Sequence, residues 1–295
     1  MTPISSCVLF SRIIRIGMRQ PTIHALAIAW SIAVAALPAP GAEKPPVRSI
    51  DELLLFFPAK FPAGQWTPRG LKFEDARFSA DDGTRLHGWY CPCDDPRAVV
   101  LLAHGNGGNV SYCAHDLATL QRRLRVSVLA FDYRGYGRSQ GVPSVEGIFK
   151  DAHAARQCLV RRAGVNSADV VLMGRSLDGA VVVQLAAESA PRGLVLESTF
   201  SSLRDVAKVH YPALAWLVPR AKLDSVSQIA RYAGPLLQSH GDADRTIPFT
   251  LGRKLFDAAP GAKTFVKISG GDHNDPQTED YYRRLDRFIG QLPAK

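Results

Sequence analysis

The groups able to do covalent chemistry sit at punctuated places in this sequence. Gly174-Arg-Ser176-Leu-Asp-Gly179 follows the apolar run at 170–173 and runs into a helical stretch. A serine on such a strand-to-helix turn is lifted clear of the sheet, with the N–H groups of the new helix beside it. Further along come Asp242 and Asp244 in His240-Gly-Asp-Ala-Asp-Arg-Thr-Ile-Pro248, then His273 in Gly270-Gly-Asp-His-Asn-Asp275. A serine hydroxyl is a weak nucleophile at its free pKa, so an imidazole must take its proton and a carboxylate must orient the imidazole. Asp242, Asp244 and Glu197 all compete for the carboxylate role. The serine turn departs from Gly-x-Ser-x-Gly, because Asp178 stands at its last position, and on the elbow alone a structural turn remains the alternative.

Strands and helices must alternate to bring these residues to one edge. The run 98–103 is continuously apolar, as a parallel strand buried on both faces should be, and it ends in His104-Gly-Asn-Gly-Gly-Asn109. Cys113, Leu117, Leu120 and Leu124 keep helical spacing after it, and Ser144 is placed to cap a second helix with the face Ile148, Ala152, Ala155 and Leu159. Further strands are expected at 126–131, 194–196, 236–238 and 264–268, with helices at 177–190, 250–257 and 277–292. A hairpin over 71–78 and 85–90 precedes them. The pattern predicts an α/β fold, a doubly wound, mostly parallel eight-stranded sheet. Residues 201–233 break the rhythm and read as a short helical cap insertion. Tyr211, Leu214, Trp216 and Leu217 in it are the expected lining of a substrate pocket. Residues 43–70 are proline-rich and are expected to wrap the domain without taking part in its chemistry.

Composition narrows the function classes. With 46% hydrophobic and 21% charged residues, the 295-residue chain is globular and long enough for one large domain. Its net charge of +9 is scattered rather than laid out as an aromatic-interleaved stripe, so no nucleic-acid partner is expected. Residues 22–37 lack formal charge and follow Arg12, Arg15 and Arg19, which predicts a signal peptide or uncleaved anchor within 1–42 and a domain from 43 to 295. The protein is therefore expected to be exported, with peripheral membrane contact, and the sequence assigns no oligomeric state. No metal is expected, since Cys91-Pro-Cys93 has no completing Cys/His pair and Asp242-x-Asp244 lacks the rest of a calcium loop. Cys113 and Cys158 fall at core positions, and His87, His115, His153 and His240 are expected to be structural.

Beyond these single features, ordered motifs accumulate: Asp82-Gly-Thr-x-Leu86-His-Gly-Trp89, His104-Gly-Asn-Gly-Gly-Asn109, Asp132-Tyr-Arg-Gly-Tyr-Gly137, Gly174-Arg-Ser-Leu, Leu196-Glu-Ser, His240-Gly-x-x-Asp-x-x-Ile-Pro248 and Gly271-Asp-His-Asn-Asp275. Over about residues 50–292 the chain resembles the alpha/beta-hydrolase superfamily, and within it the small serine hydrolases related to protein depalmitoylases and fungal bud-emergence proteins. The resemblance implies Ser176 as nucleophile, His273 as general base and Asp244 as its orienting carboxylate. It also implies an oxyanion hole from the backbone N–H groups of Asn106 and Leu177. The implied activity is serine esterase or thioesterase chemistry on a small-molecule or lipid-like acyl ester, through an acyl-enzyme and without a cofactor. An amidase or peptidase with the same triad is the enzymatic alternative, and a degenerate hydrolase kept as a binding protein is the other. Asp178 is the departure from the family pattern. An anion about 6 Å from a developing oxyanion opposes it by roughly 1–3 kcal/mol, which predicts slowed turnover.

Overall fold

In the computed structural model, residues 55–293 are described. The leader and its cleavage lie outside them, as does the start of the proline-rich segment 43–70. The described residues fall in a unit that begins at Arg48.

The strands are β1 (Phe57–Pro58), β2 (Glu74–Ser79), β3 (Arg85–Cys91), β4 (Ala98–Ala103), β5 (Gly107–Gly108), β6 (Val126–Asp132), β7 (Val170–Arg175), β8 (Gly193–Glu197), β9 (Leu236–Gly241) and β10 (Lys263–Ile268). Eight form one sheet in the order β2-β3-β6-β4-β7-β8-β9-β10. β3 is antiparallel to both β2 and β6, and every other pairing is parallel. Between them run helices α1 (Ala114–Arg123), α2 (Val145–Ala163), α3 (Leu177–Glu188), α4 (Leu203–His210), α5 (Ser225–Ile229), α6 (Phe249–Ala258) and α7 (Glu279–Gln291).

Strand β4 shows why the predicted layering holds. All six of its side chains are buried. Val99, Leu101 and Ala103 join the layer made with α2, α3 and α6, whereas Ala98, Val100 and Leu102 join the layer made with α1 and α7. Period-two alternation is present, but with helices on both faces neither set is polar. The caps follow the sequence. Ser144 Oγ accepts the Gly147 N–H at 3.1 Å, and α2 ends at Gly164 with φ +63°.

The hairpin starts three residues later than predicted. The Gln121 side chain accepts from the Lys72 N–H and donates to the Lys72 carbonyl, so this backbone is satisfied by α1 instead of by β3. The parallel strands extend further than predicted, to Glu197 and Gly241, because polar residues at their carboxyl ends stay in the ladder. In α7, Tyr281 and Leu285 are buried, while Phe288 is only partly so. Cys91, Cys93, Cys113 and Cys158 are free thiols. Among the described residues, strands β2 and β10 are the two open edges of the sheet.

Candidate active site

The strand β7 to helix α3 turn holds Ser176 at φ +55° and ψ −123°. Backbone of this kind costs about 1–3 kcal/mol and persists only where its surroundings impose it. Here the Ser176 N–H donates to the Glu197 carbonyl at 2.9 Å, and Thr199 Oγ1 donates to the Ser176 carbonyl at 2.8 Å. The close approaches fall at Gly174 and Gly179. A Cβ at Gly174 would meet the Asp178 carbonyl at 2.4 Å, and one at Gly179 would meet Thr199 at 2.4 Å. The elbow thus needs glycine at those two positions and leaves room for a side chain at 178.

Ser176, His273 and Asp244 converge from three strand ends. His273 Nε2 lies 3.0 Å from Ser176 Oγ, and its Nδ1 lies 2.8 Å from Asp244 Oδ2. Asp244 Oδ1 accepts the N–H groups of Thr246 at 2.9 Å and Ile247 at 2.7 Å. Burial works to raise the Asp244 pKa, but hydrogen bonds from His240, His273 and the Ile247 N–H outweigh it and hold the carboxyl well below the usual range. It is ionised at neutral pH, as an orienting carboxylate must be. Asp242 is used elsewhere, accepting the Gly270 N–H at 2.6 Å and pairing with Lys267 at 3.2 Å. Glu197 is bonded to the Tyr281 hydroxyl, and its burial raises its pKa.

Two supports of this arrangement escaped the sequence reading. Arg175, the variable residue of the elbow, donates to the His273 carbonyl at 2.6 Å and so ties the histidine loop to the serine turn. His240, expected to be simply structural, has Nε2 3.3 Å from Asp244 Oδ2 and 2.9 Å from the Ile247 carbonyl. Its place four residues before Asp244 was the available signal. His87 is structural as expected, set between Asp75 at 2.8 Å and Asp132 at 3.4 Å.

The loop expected to supply oxyanion donors, 104–109, is braced by the segment expected to have no part in the chemistry. β1 pairs in parallel with β5, the Asn106 side chain donates to the Leu55 carbonyl at 2.6 Å, and the Asn106 carbonyl accepts from the Phe57 N–H at 3.1 Å and the Tyr136 hydroxyl at 2.7 Å. Asn109 Nδ2 donates to the Ala59 and Ala63 carbonyls. With its side chain and carbonyl both fixed, the Asn106 peptide is set in orientation. The Leu177 N–H opens α3 and has no acceptor within the helix.

Asp178 behaves differently from the expectation. Its carboxylate is fully buried and accepts the Gly105 N–H, with the His104 imidazole nearby. The charge is turned beneath the 104–109 loop. Burial pushes its pKa up to about 6, against the pull of His104 and the Gly105 N–H. A carboxyl with a raised pKa holds its proton more tightly in the folded state. Its stabilising contribution is therefore complete below about pH 4 and is lost as pH climbs through about 6; a difference of that size corresponds to roughly 3 kcal/mol. Asp178→Asn keeps an acceptor for Gly105 and removes the charge. It is expected to flatten the fall in Tm over that pH range and to leave kcat/KM within about threefold. Asp178→Gly strands the Gly105 N–H and is expected to lower kcat/KM about tenfold. Faster turnover by the glycine variant would restore the view that the anion opposes the reaction.

The residues expected to line a pocket lie at the surface. Tyr211, Leu214, Trp216 and Leu217 are 56–69% exposed, because the stretch between Pro212 and Pro219 forms only a single 3-10 turn, Ala215–Leu217, and cannot bury both sides of itself.

Comparison with known proteins bears on this geometry. The family described as serine aminopeptidase S33 matches residues 94–231, which include the Ser176 turn and the 104–109 loop. An uncharacterized protein of Mycobacterium tuberculosis is 39% identical over 255 residues, spanning 82% of this chain and 88% of its own length. The alpha/beta hydrolase domain-containing protein WAV2 of Arabidopsis thaliana is 32% identical, spanning 70% and 73%. Among solved structures, the Pyrococcus furiosus esterase Pf2001 superposes with a TM-score of 0.66 at 18% identity, over 81% of this chain and 98% of its own. That likeness concerns the fold.

Proposed function

The chain belongs to the alpha/beta-hydrolase superfamily, and from that premise we propose that it is a serine hydrolase cleaving carboxylic esters or acyl thioesters through an acyl-enzyme. The observation that carries the reading is the unbroken relay from Ser176 Oγ to His273 Nε2 at 3.0 Å and from His273 Nδ1 to Asp244 at 2.8 Å.

In this reading Ser176 Oγ attacks the acyl carbon as its proton passes to His273 Nε2. The imidazolium that forms is stabilised by the Asp244 carboxylate, which also holds the Nδ1 proton in place. The tetrahedral oxyanion is met by the N–H groups of Asn106 and Leu177, each such donor being worth about 3 kcal/mol. His273 then gives its proton to the leaving alcohol or thiol. A water repeats the attack on the acyl-serine, with His273 again as base, and the acid is released.

The family description "serine aminopeptidase" favours a second reading, hydrolysis of an aminoacyl amide by the same residues. The two are separated by kcat/KM for a series of acyl esters and thioesters of increasing chain length against an aminoacyl amide. Higher values on the esters or thioesters are expected, and preference for the amide would reverse the assignment. A fluorophosphonate probe is expected to label Ser176 in the folded protein. Its failure to do so would favour a binding protein that has kept the fold without the chemistry.

A further inference from the structure

Among the described residues, nine large hydrophobic side chains are exposed, and five of them, Val209, Tyr211, Leu214, Trp216 and Leu217, lie within nine consecutive residues of the cap. A soluble surface scatters such residues singly; a contiguous cluster marks a contact surface. The residues around the cluster are cationic. Between Ser201 and Lys222 the sequence carries Arg204, Lys208, Arg220 and Lys222 against a single carboxylate, Asp205. Arg204, Lys208, Arg220 and Lys254 line one cleft of the cap together with Asp205 and Asp224. Asp205 is taken up by Lys208 at 2.9 Å and Lys254 at 2.7 Å, and among the described residues neither Arg204 nor Arg220 has an ion-pair partner. The cluster is also joined to the catalytic loop, since His210 Nε2 lies 2.7 Å from the Thr246 carbonyl and the Thr246 N–H bonds to Asp244.

We propose that the cap segment 204–222 docks on an anionic phospholipid bilayer, with Trp216, Leu217, Leu214 and Tyr211 entering the headgroup–acyl boundary and Arg204 and Arg220 meeting lipid phosphates. The chemistry fits that partner. Tryptophan and tyrosine have an apolar body with a polar edge, which suits the interface, and cations beside them are drawn to a negative leaflet. A second copy of the chain fits poorly. A two-fold contact places each patch against itself, which brings the cations into opposition. Docking through this segment sets the bilayer beside the loop that carries Asp244. The inference concerns binding, and it stands whichever acyl bond is cleaved.

The test uses the full chain with vesicles of phosphatidylcholine alone or of equimolar phosphatidylcholine and phosphatidylglycerol, each with and without brominated acyl chains. Trp216 reports for itself through the difference between the native protein and Trp216→Phe, which removes the signals of Trp30, Trp66 and Trp89. The difference signal is expected to shift to shorter wavelength and be quenched by brominated lipid in the anionic vesicles only. Arg204→Gln and Arg220→Gln should each weaken binding roughly fivefold, and Leu217→Ser roughly tenfold. These residues are exposed or at the cleft, so folding is checked by an unchanged Tm. An unquenched Trp216 difference signal on anionic vesicles would overturn the proposal, as would a stable dimer in sedimentation that shields Trp216 from iodide. Either result can be told from failure of the hydrolase reading, because the readout needs no turnover.

Discussion

Ser176→Ala is expected to lower kcat on a short acyl ester by about 10⁴–10⁶-fold and to abolish fluorophosphonate capture, with Tm within a few degrees of the native protein. The size follows from the geometry. Among the described residues, Ser176 Oγ is the hydroxyl bonded to His273, and in the proposed reaction it alone would form the covalent intermediate. The turn itself survives the change. The bonds that impose its backbone run from the Ser176 N–H and carbonyl, which alanine retains, and the close contacts at Gly174 and Gly179 are untouched. Rate measurements on purified variant and native protein, with thermal melts of each, check both halves. Activity within tenfold of native would mean that the acyl group is transferred to water directly and that Ser176 is a bystander.

The second large effect is expected from Asp244→Asn, about 10⁴-fold in kcat with little change in KM. The carboxylate is asymmetric. Oδ1 accepts two backbone N–H groups, from Thr246 and Ile247, whereas Oδ2 faces His273 Nδ1 and His240. An asparagine keeps its oxygen at the Oδ1 site, since that site needs an acceptor, and so presents its NH₂ group to His273. The imidazole must then accept at Nδ1 and carry its proton on Nε2, where it has no capacity to receive the serine proton. Asp242→Asn and Glu197→Gln are the comparison variants. Asp242 serves the Gly270 turn and Glu197 the Tyr281 hydroxyl, so both should stay within about tenfold of native turnover. A larger loss at Glu197 than at Asp244 would move the orienting role to the neighbouring strand.

Sequence and structure agree where the signal is periodic or compositional. β4 is legible because six apolar residues in a row admit few readings, and Ser144 and Gly164 bound α2 through the local chemistry of helix ends. The loops that carry Ser176, Asp244 and His273 are legible because each follows a strand end and a parallel sheet gathers its carboxyl ends on one side, whereas the preference for Asp244 over Asp242 and Glu197 comes from the family resemblance. What stays hidden depends on partners far along the chain. The brace on Asn106 comes from Leu55 and Phe57, through bonds to backbone atoms that leave no pattern in side-chain types. Asp178 has an obvious identity, but its rotamer decides whether its charge meets the cleft or the underside of the 104–109 loop, and the rotamer is set by packing. The cap shows the same limit. Its apolar residues read as a lining, and the structure leaves them exposed, which the spacing alone does not signal.

The open edges β2 and β10 bear on how the protein behaves in a crowd. An unpaired strand offers its free backbone groups to any extended chain that approaches, and long, flat, greasy edges recruit copies of themselves into fibrils. β10 carries Lys263, Thr264 and Lys267 at its exposed positions, and Lys263 is folded back onto the carbonyls of Phe256, Asp257 and Ala259. β2 presents Glu74, Asp75 and Arg77. Charge on each rim makes strand-to-strand stacking between molecules unfavourable, so the sheet ends where it does and the protein resists polymerising through its own hydrogen-bonding ladder.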